Sequence, residues 1–221
     1  MAYSDVWLFK QLFTSAFFMN YNIYKDDNME KEIVKSVVEM SAYVFERGLV
    51  SGKAGNVSAR FKGEKGDIVA ITPTLKSLAD LREEDIVLVN EKGELLTKGK
   101  PSSEVGMHLA IYREKPDVYG IAHTHSPYAT GFAFSAKKIK RLEGFGAIKS
   151  EYLKDIEYFK PGSKELAEAA SEALKTEDAI ILKNHGVIAT GETVKEAAAL
   201  VEFVEEIAKT QFVTHVLNSI E

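Results

Sequence analysis

The chain has no cysteine, one tryptophan and five prolines among its 221 residues. Without cysteine it has neither disulfides nor thiolate metal ligands, so any metal site must use nitrogen and oxygen donors. Charge is also limited, because the net charge is -5 and the pI is near 5.7. No basic cluster occurs, which argues against nucleic acid or an anionic membrane as a main partner. The absence of cysteine suits the reducing cytoplasm, where we expect the protein to act.

Long apolar runs are lacking as well. The aromatic segment from Trp7 to Met19 is interrupted by Lys10 and Gln11 and falls short of the roughly 20 residues that cross a bilayer. No signal-peptide cleavage site follows it. We interpret residues 1–28 as an N-terminal extension that packs on the body or on a neighbouring subunit. Residues 29–221 are predicted to form one domain, since a hydrophobic content of 45% allows a sizeable core.

Hydrophobic periodicity gives the expected order of helices and strands. The predicted strands are 57–61, 67–71, 86–89, 95–97, 118–122 and 179–182, with a hairpin turn at 90–93. The predicted helices are 30–48, one capped by Ser102 or Ser103 that ends near Arg113, 128–134, 164–175 and 193–217. The segment 137–160 shows no clear pattern. This order predicts an α/β fold, a three-layer α/β/α sandwich with a central, mostly antiparallel sheet.

Three of the five histidines lie at two places in the chain. His123 and His125 follow a predicted strand and are two residues apart, so their side chains point to the same face. His185 follows a second apolar run, 179–182. Imidazoles from two strand ends suit a divalent metal with an open coordination position, as in a catalytic zinc site. In the alternative interpretation, His123 and His125 only flank a strand and bind backbone groups.

A second group of residues is suited to an anion. Glu104 lies at the predicted start of a helix, after Ser102 and Ser103. The N–H groups of a helix N-terminus and two hydroxyls suit a phosphate. The glycine-bearing loop 51–56 and the run 72–74 offer further donors. Each of these elements alone is equally well explained as a cap, a turn or a strand end.

Five motifs occur in the order and spacing of the class II aldolase family. They are Ala54-Gly55-Asn56-Val57-Ser58, Ile71-Thr72-Pro73-Thr74, Pro101-Ser102-Ser103-Glu104, His123-Thr124-His125 and Asn184-His185-Gly186. From about Glu30 to Lys209 the chain resembles this family, which includes L-fuculose-1-phosphate aldolase, L-ribulose-5-phosphate 4-epimerase and the adducin head domain. The resemblance implies the class II aldolase/adducin-like fold. It also implies a homotetramer with active sites at subunit interfaces and a small sugar phosphate as substrate.

The resemblance further implies the residue roles. His123, His125 and His185 would bind one Zn²⁺ per subunit, although imidazoles also accept other divalent metals. Glu104 would be the catalytic acid and base. The residues implied to bind the substrate phosphate are Gly55, Asn56, Thr74, Ser102 and Ser103. The implied reaction is the reversible cleavage of a ketose-1-phosphate into dihydroxyacetone phosphate and an aldehyde, with zinc stabilising the enediolate and the carboxylate moving a proton.

Some positions depart from the aldolase pattern. Leu75 stands where a glycine usually follows Thr-Pro-Thr, and Lys53 replaces a small polar residue. Between Glu143 and Ala147, where we expect the proton-donating tyrosine, the aromatic residue is Phe145. His108 lies four residues after Glu104, hence on the same helix face, and we interpret it as a supporting or packing residue.

Other members of the family suggest alternative functions. One is a pentulose-phosphate 4-epimerase, which carries aspartate in place of Glu104. Others are a methylthioribulose-1-phosphate dehydratase and a decarboxylase, which share the metal-binding histidines. The non-enzymatic alternative is an adducin-like binding module, which lacks the histidine set. The residues present therefore favour an aldolase, an aldehyde-lyase.

Overall fold

The computed structural model describes residues 27–63, 66–142 and 150–220. The main compact unit extends from Ile33 to Glu221. The predicted extension 1–28 lies almost entirely outside the described residues and stays a prediction. No helix within the described ranges is long and apolar enough to cross a membrane.

Seven strands of the described chain form one mixed sheet in the order β3-β2-β1-β4-β7-β6-β5. Every neighbouring pair is antiparallel except β5 and β6, which are parallel. The strands are β1 (Asn56–Gly63), β2 (Gly66–Ile71), β3 (Val87–Asn90), β4 (Gly120–Thr124), β5 (Lys154–Ile156), β6 (Ala179–Leu182) and β7 (Gly186–Gly191). β4 and β6 both pair with β7, so the ends of these two strands lie near each other.

Helices cover both faces of the sheet, which confirms the predicted α/β/α sandwich. They are α1 (Asp27–Glu46), α2 (Val105–Glu114), α3 (Pro127–Phe134), α4 (Lys164–Leu174) and α5 (Val194–Leu217). α2 and α4 share an apolar core with alternate strand residues such as Ile71, Ile121 and Ile180. On the other face α5 approaches closely, since a Cβ on Gly120 would lie 2.3 Å from the Val194 backbone.

Capping residues explain where two of the helices begin. The hydroxyl of Ser163 accepts the N–H of Leu166 (3.1 Å) and starts α4, as the sequence predicted. The hydroxyl of Thr193 accepts the N–H of Glu196 (3.1 Å) and starts α5 in the same way. These caps fix the ends of the two helices that pack on opposite faces.

Three secondary-structure predictions were wrong or incomplete. Residues 95–97 do not form a strand, because only Leu95 bridges to Val89. α2 begins at Val105 rather than just after a serine cap, since Ser102 instead accepts the N–H of Glu104 through its hydroxyl (3.2 Å). β5 and β7 were not predicted: β5 has three residues, and β7 begins and ends with glycine, which weakens a strand pattern.

Candidate metal and acid/base site

Three histidine side chains converge where β4 ends. His123 is the fourth residue of β4, His125 follows the strand, and His185 lies in the turn between β6 and β7. The ring centroids are 4.7–5.0 Å apart. One ligand nitrogen from each ring lies within 4.8 Å of the other two, so the cluster can hold a metal ion. The expected convergence of the imidazoles is therefore observed.

The turn that carries His185 has an unusual backbone. Asn184 adopts a left-handed conformation (φ 53°), which asparagine tolerates better than most residues. Gly186 follows, and a Cβ there would lie 2.4 Å from the carbonyl oxygen of Thr124 and 3.1 Å from the ring of His125. Only glycine lets the turn approach β4 closely enough to bring His185 to the other two rings.

The protonation preferences of the rings suit a cation. The Nδ1 atom of His123 lies 2.8 Å from the carbonyl oxygen of Val187, so Nδ1–H donates and Nε2 faces the cluster. That Nε2 is 3.0 Å from Nε2 of His125, too close for both atoms to carry hydrogens comfortably. Burial lowers the pKa of His125 to about 3 and of His185 to about 4, which keeps both rings in the neutral form that binds metals.

Glu104 lies against this cluster and is almost fully buried. Its Oε2 is 3.2 Å from Nε2 of His123 and accepts a hydrogen bond from Nδ2 of Asn56 (3.0 Å). Its Oε1 is 3.6 Å from Nε2 of His185 and has no hydrogen-bond partner. Burial raises the pKa of Glu104, but His123, His185 and Asn56 together lower it well below its usual range.

The same carboxylate acts on His123. Burial lowers the pKa of His123, yet the charge and hydrogen bond of Glu104 outweigh burial and raise it. The centre therefore favours positive charge beside the carboxylate, which is the condition that a bound divalent cation satisfies. The three imidazoles therefore fit a metal centre. The ionised carboxylate of Glu104, whose Oε1 has no hydrogen-bond partner, fits an adjacent proton acceptor.

Comparison with known proteins identifies the family. The Class II Aldolase and Adducin N-terminal domain family matches residues 35–212. The chain belongs to this family. An L-fuculose phosphate aldolase of Methanococcus maripaludis is 38% identical over 181 residues, which cover 82% of this chain and 97% of that protein. A 3-oxo-tetronate 4-phosphate decarboxylase of Haemophilus influenzae is 34% identical over 84% of this chain and 88% of that protein.

A solved structure agrees with the family assignment. The L-fuculose-1-phosphate aldolase of Thermus thermophilus superposes with a TM-score of 0.75 at 26% identity, covering 86% of this chain and 97% of that one. The family and fold predicted from the five motifs are thus confirmed. Class II aldolases are metal-dependent, and among the residues that the structure describes the histidine cluster can hold a metal ion.

The residues predicted to bind phosphate lie near the start of α2 and near the histidine cluster. Thr74 donates its N–H to the carbonyl of Lys100 (3.0 Å), and Ser102 donates its N–H to the carbonyl of Thr72 (3.0 Å). These two bonds place the Thr-Pro-Thr run of the class II aldolase beside the serine pair. Ser102 is buried, whereas Ser103 is exposed.

Gly55 and Asn56 lie next to the strand that carries His123. Gly55 has a φ of 78°, and a Cβ there would meet Val50 at 2.5 Å and the carbonyl oxygen of His123 at 2.8 Å. Asn56 pairs with His123 across β1 and β4. Its side chain contacts Glu104 and His108 rather than open space. Leu75, at the position where family aldolases usually have glycine, is exposed with a left-handed φ of 62°.

Some residues near the site were not found from the sequence. Ser58 and Tyr112 form a buried hydrogen-bonded chain with His108. Glu205 of α5 accepts the N–H groups of Tyr128 (2.9 Å) and Ala129 (2.8 Å) and so anchors the helix that follows His125. The segment 143–147, where the family's tyrosine was expected, lies outside the described residues.

Proposed function

We propose that this chain is a metal-dependent sugar-phosphate aldolase that reversibly cleaves a ketose-1-phosphate into dihydroxyacetone phosphate and an aldehyde. One observation carries the proposal: a buried carboxylate, Glu104, contacts two of three convergent imidazoles, and one of its oxygens has no hydrogen-bond partner. The similarity to the L-fuculose phosphate aldolase of Methanococcus maripaludis supports the same reaction class.

His123, His125 and His185 would hold the metal, one Zn²⁺ or another divalent ion per subunit. When bound, a divalent cation supplies Lewis-acid stabilisation of the negative charge that develops on substrate oxygens. The neutral state of His125 and His185 supports this assignment, because metal ligands must be deprotonated. His123, whose pKa Glu104 raises, would release its extra proton when the metal binds.

Glu104 would move the proton at the carbon that becomes nucleophilic. A carboxylate kept ionised can accept that proton, and Oε1 is the oxygen that has no hydrogen-bond partner. The substrate phosphate would lie at the start of α2, where the helix dipole favours an anion. The residues proposed to hold it are Gly55, Asn56, Thr74, Ser102 and Ser103, and Asn56 would use the amide hydrogen that does not bind Glu104.

We also propose a cytoplasmic homotetramer with active sites between subunits. The end of the chain supports an interface, because it exposes several large apolar side chains. They are Phe212, Val213, Val216, Leu217 and Ile220. Contiguous exposed apolar surface is typical of protein–protein contact sites. Light scattering at micromolar concentration tests the assembly, and a monomer would contradict it.

The function is tested by incubating the purified, metal-loaded protein with a set of ketose-1-phosphates and detecting released dihydroxyacetone phosphate. His125→Ala should lose metal retention and activity together. His215→Ala, which replaces an exposed histidine of α5, is the matched control and should keep both. Full metal stoichiometry in His125→Ala would remove that residue from the metal site.

A decarboxylase is the second candidate, because the Haemophilus influenzae relative is a 3-oxo-tetronate 4-phosphate decarboxylase. Both reactions break a carbon–carbon bond next to a carbon that must hold negative charge. Release of carbon dioxide from a 3-oxo-tetronate 4-phosphate, without release of dihydroxyacetone phosphate from any ketose-1-phosphate, would favour the decarboxylase.

A further inference from the structure

We propose that His108 is a positioning residue for Glu104. Acting through Asn56, it holds one oxygen of the Glu104 carboxylate in place and leaves the other free for the substrate proton. The amide oxygen of Asn56 sets which nitrogen of the His108 ring carries the hydrogen, and Ser58, which Tyr112 contacts, binds the other nitrogen. The inference rests on the proposed acid/base role of Glu104 and adds a buried chain of residues that controls it.

Two regular residue spacings place these hydrogen-bonded side chains next to each other. Asn56 and Ser58 are two residues apart on β1, so they share one face of the strand. Glu104, at the N-cap of α2, and His108 and Tyr112 within the helix follow one another at intervals of four and lie on the same side of it. All five side chains are buried. The two polar rows therefore meet where neither contacts bulk water.

The direction of the hydrogen bonds follows from the carboxylate. Oε2 of Glu104 can only accept, so the Asn56 atom 3.0 Å away is the amide nitrogen, as observed. The amide oxygen of Asn56 then faces Nε2 of His108 at 2.5 Å. Because an amide oxygen also only accepts, Nε2 of His108 must carry the ring hydrogen.

The other side of the ring agrees with this tautomer. Burial and the nearby His123 lower the pKa of His108 to about 3, so the ring is neutral and carries a single hydrogen. Nδ1 of His108 is then an acceptor, and the hydroxyl of Ser58, 2.7 Å away, donates to it. The hydroxyl of Tyr112 lies 2.8 Å from the Ser58 hydroxyl and 3.1 Å from its carbonyl oxygen. Whichever of these two Ser58 oxygens the Tyr112 hydroxyl donates to, the hydroxyl hydrogen of Ser58 stays free to bind His108.

The consequence is an asymmetric carboxylate. The terminal torsion of a glutamate is broad and nearly two-fold, so an unrestrained carboxylate exchanges its two oxygens easily. Oε2 accepts a hydrogen bond from Asn56 and lies beside His123, whereas Oε1 lies 3.6 Å from Nε2 of His185 and has no hydrogen-bond partner. A packing role for His108 would require only its volume. The geometry instead uses the donor capacity of one particular nitrogen.

Two amide variants separate these roles. In His108→Gln the side-chain amide reaches the position of Nε2 and can still donate to Asn56. In His108→Asn the amide reaches only the position of Nδ1, keeps a contact with Ser58 and loses the donor to Asn56. Both are neutral and polar, so both carry a similar cost of burial. Thermal melting verifies that each variant folds.

The kinetic readout is the cleavage of a ketose-1-phosphate, with kcat and KM measured separately. His108→Gln should retain most of the wild-type kcat. His108→Asn should lose about 10- to 100-fold in kcat, the usual effect of removing a residue that orients a catalytic group, with KM and metal content unchanged. Equal kcat losses in the two variants, or a change confined to KM, would overturn the positioning role.

A spectroscopic readout needs no substrate. In protein labelled with ¹⁵N-histidine, the nitrogen shifts should report His108 as the neutral Nε2–H tautomer between about pH 5 and 8. A protonated ring or the Nδ1–H tautomer would overturn the inference even if the enzyme is an aldolase. If the wild type instead releases no dihydroxyacetone phosphate, the proposed function fails. In that case the tautomer, together with a shift of the Asn56 amide signals in uniformly ¹⁵N-labelled Glu104→Gln, still decides whether the hydrogen-bonded network reaches Glu104.

Discussion

Strand β1 carries two rows of side chains that face opposite sides of the sheet, and the two rows are built differently. Toward α2 it presents Asn56, Ser58 and Arg60, all polar and all buried. The alternate residues of the strand are apolar and buried on the other side, where α5 covers the sheet. One strand thus supports a polar contact with one helix layer and an apolar contact with the other.

The polar row holds α2 at both ends. Asn56 binds Glu104 just before the helix begins. The guanidinium of Arg60 donates to the carbonyl oxygens of Tyr112 (2.8 Å) and Lys115 (3.1 Å), where the helix ends. A cation at that end also complements the helix dipole. The position of the Glu104 carboxylate therefore depends on which atoms form hydrogen bonds with β1.

The apolar side depends on size instead. Gly120 and Gly191 let α5 approach β4 and β7, since a Cβ on Gly191 would lie 2.7 Å from the backbone nitrogen of Ala197. The part of α5 that packs there is rich in buried small residues. They include Ala197, Ala198, Val201 and Ala208. Substitutions should thus affect chemistry on the α2 side and stability on the α5 side.

Glu104→Gln should give the largest effect on the α2 side. The amide keeps the shape of the carboxylate but cannot accept the substrate proton. We expect turnover to fall roughly 10²–10⁴-fold, about 3–5 kcal/mol in the activation barrier. Metal content and melting temperature should change little. Exchange of the dihydroxyacetone phosphate proton with deuterated solvent measures the proton step directly, and normal exchange would remove Glu104 from the mechanism.

Gly120→Ala should give the largest effect on the α5 side. The added methyl group would lie 2.3 Å from the backbone of Val194, which cannot move without shifting the start of α5. Overpacking of this kind destabilises by roughly 1–3 kcal/mol. Urea unfolding measures the loss, and kcat per folded molecule should stay near that of the wild type. A fall in kcat larger than the loss of folded protein would show that the two sides are coupled.

Much of this arrangement could be predicted from the sequence. Strand alternation predicted that His123 and His125 lie on one face. The five ordered motifs identified the family, and they predicted that His185 joins the other two histidines. The predicted enzyme class agrees with the aldolase relatives. These features depend on short segments with strong local patterns.

The buried polar row could not be predicted, because it depends on contacts between distant segments. The alternation of polar and apolar residues from Asn56 to Arg60 is typical of a strand with one face in water. Here both faces are buried, since Glu104 just before α2 and His108 and Tyr112 within it are the polar partners of β1. The sequence shows that the polar residues of β1 are two positions apart and those on the α2 side four positions apart. Only the fold shows that the two sets contact each other.

The pH dependence of stability offers a smaller test of the contact between this polar row and α2. His108 has a folded-state pKa of about 3, against about 6.5 in an unfolded chain. Between these pH values the unfolded state binds more protons, so the free energy of unfolding falls as the pH is lowered. From pH 7 to pH 5 this residue should account for about 2 kcal/mol of the loss. His108→Gln cannot take up that proton, and its urea-unfolding free energy should fall less steeply; parallel curves for the two proteins would contradict the burial of a neutral ring.

Gly106→Ala should give the smallest effect and has the opposite sign. Gly106 is an exposed residue in the first turn of α2, and a Cβ there would meet nothing within 4 Å. Alanine in a helix is more favourable than glycine by roughly 0.5–1 kcal/mol, so the melting temperature should rise slightly. Gly131→Ala in α3, which also has nothing within 4 Å, is the matched control and should behave alike. If Gly106→Ala raises stability and leaves KM unchanged, the space beside the start of α2 is not occupied by substrate. If KM rises while Gly131→Ala stays normal, the substrate phosphate approaches α2 along this glycine, and size as well as hydrogen bonding limits the chemistry on that side of the sheet.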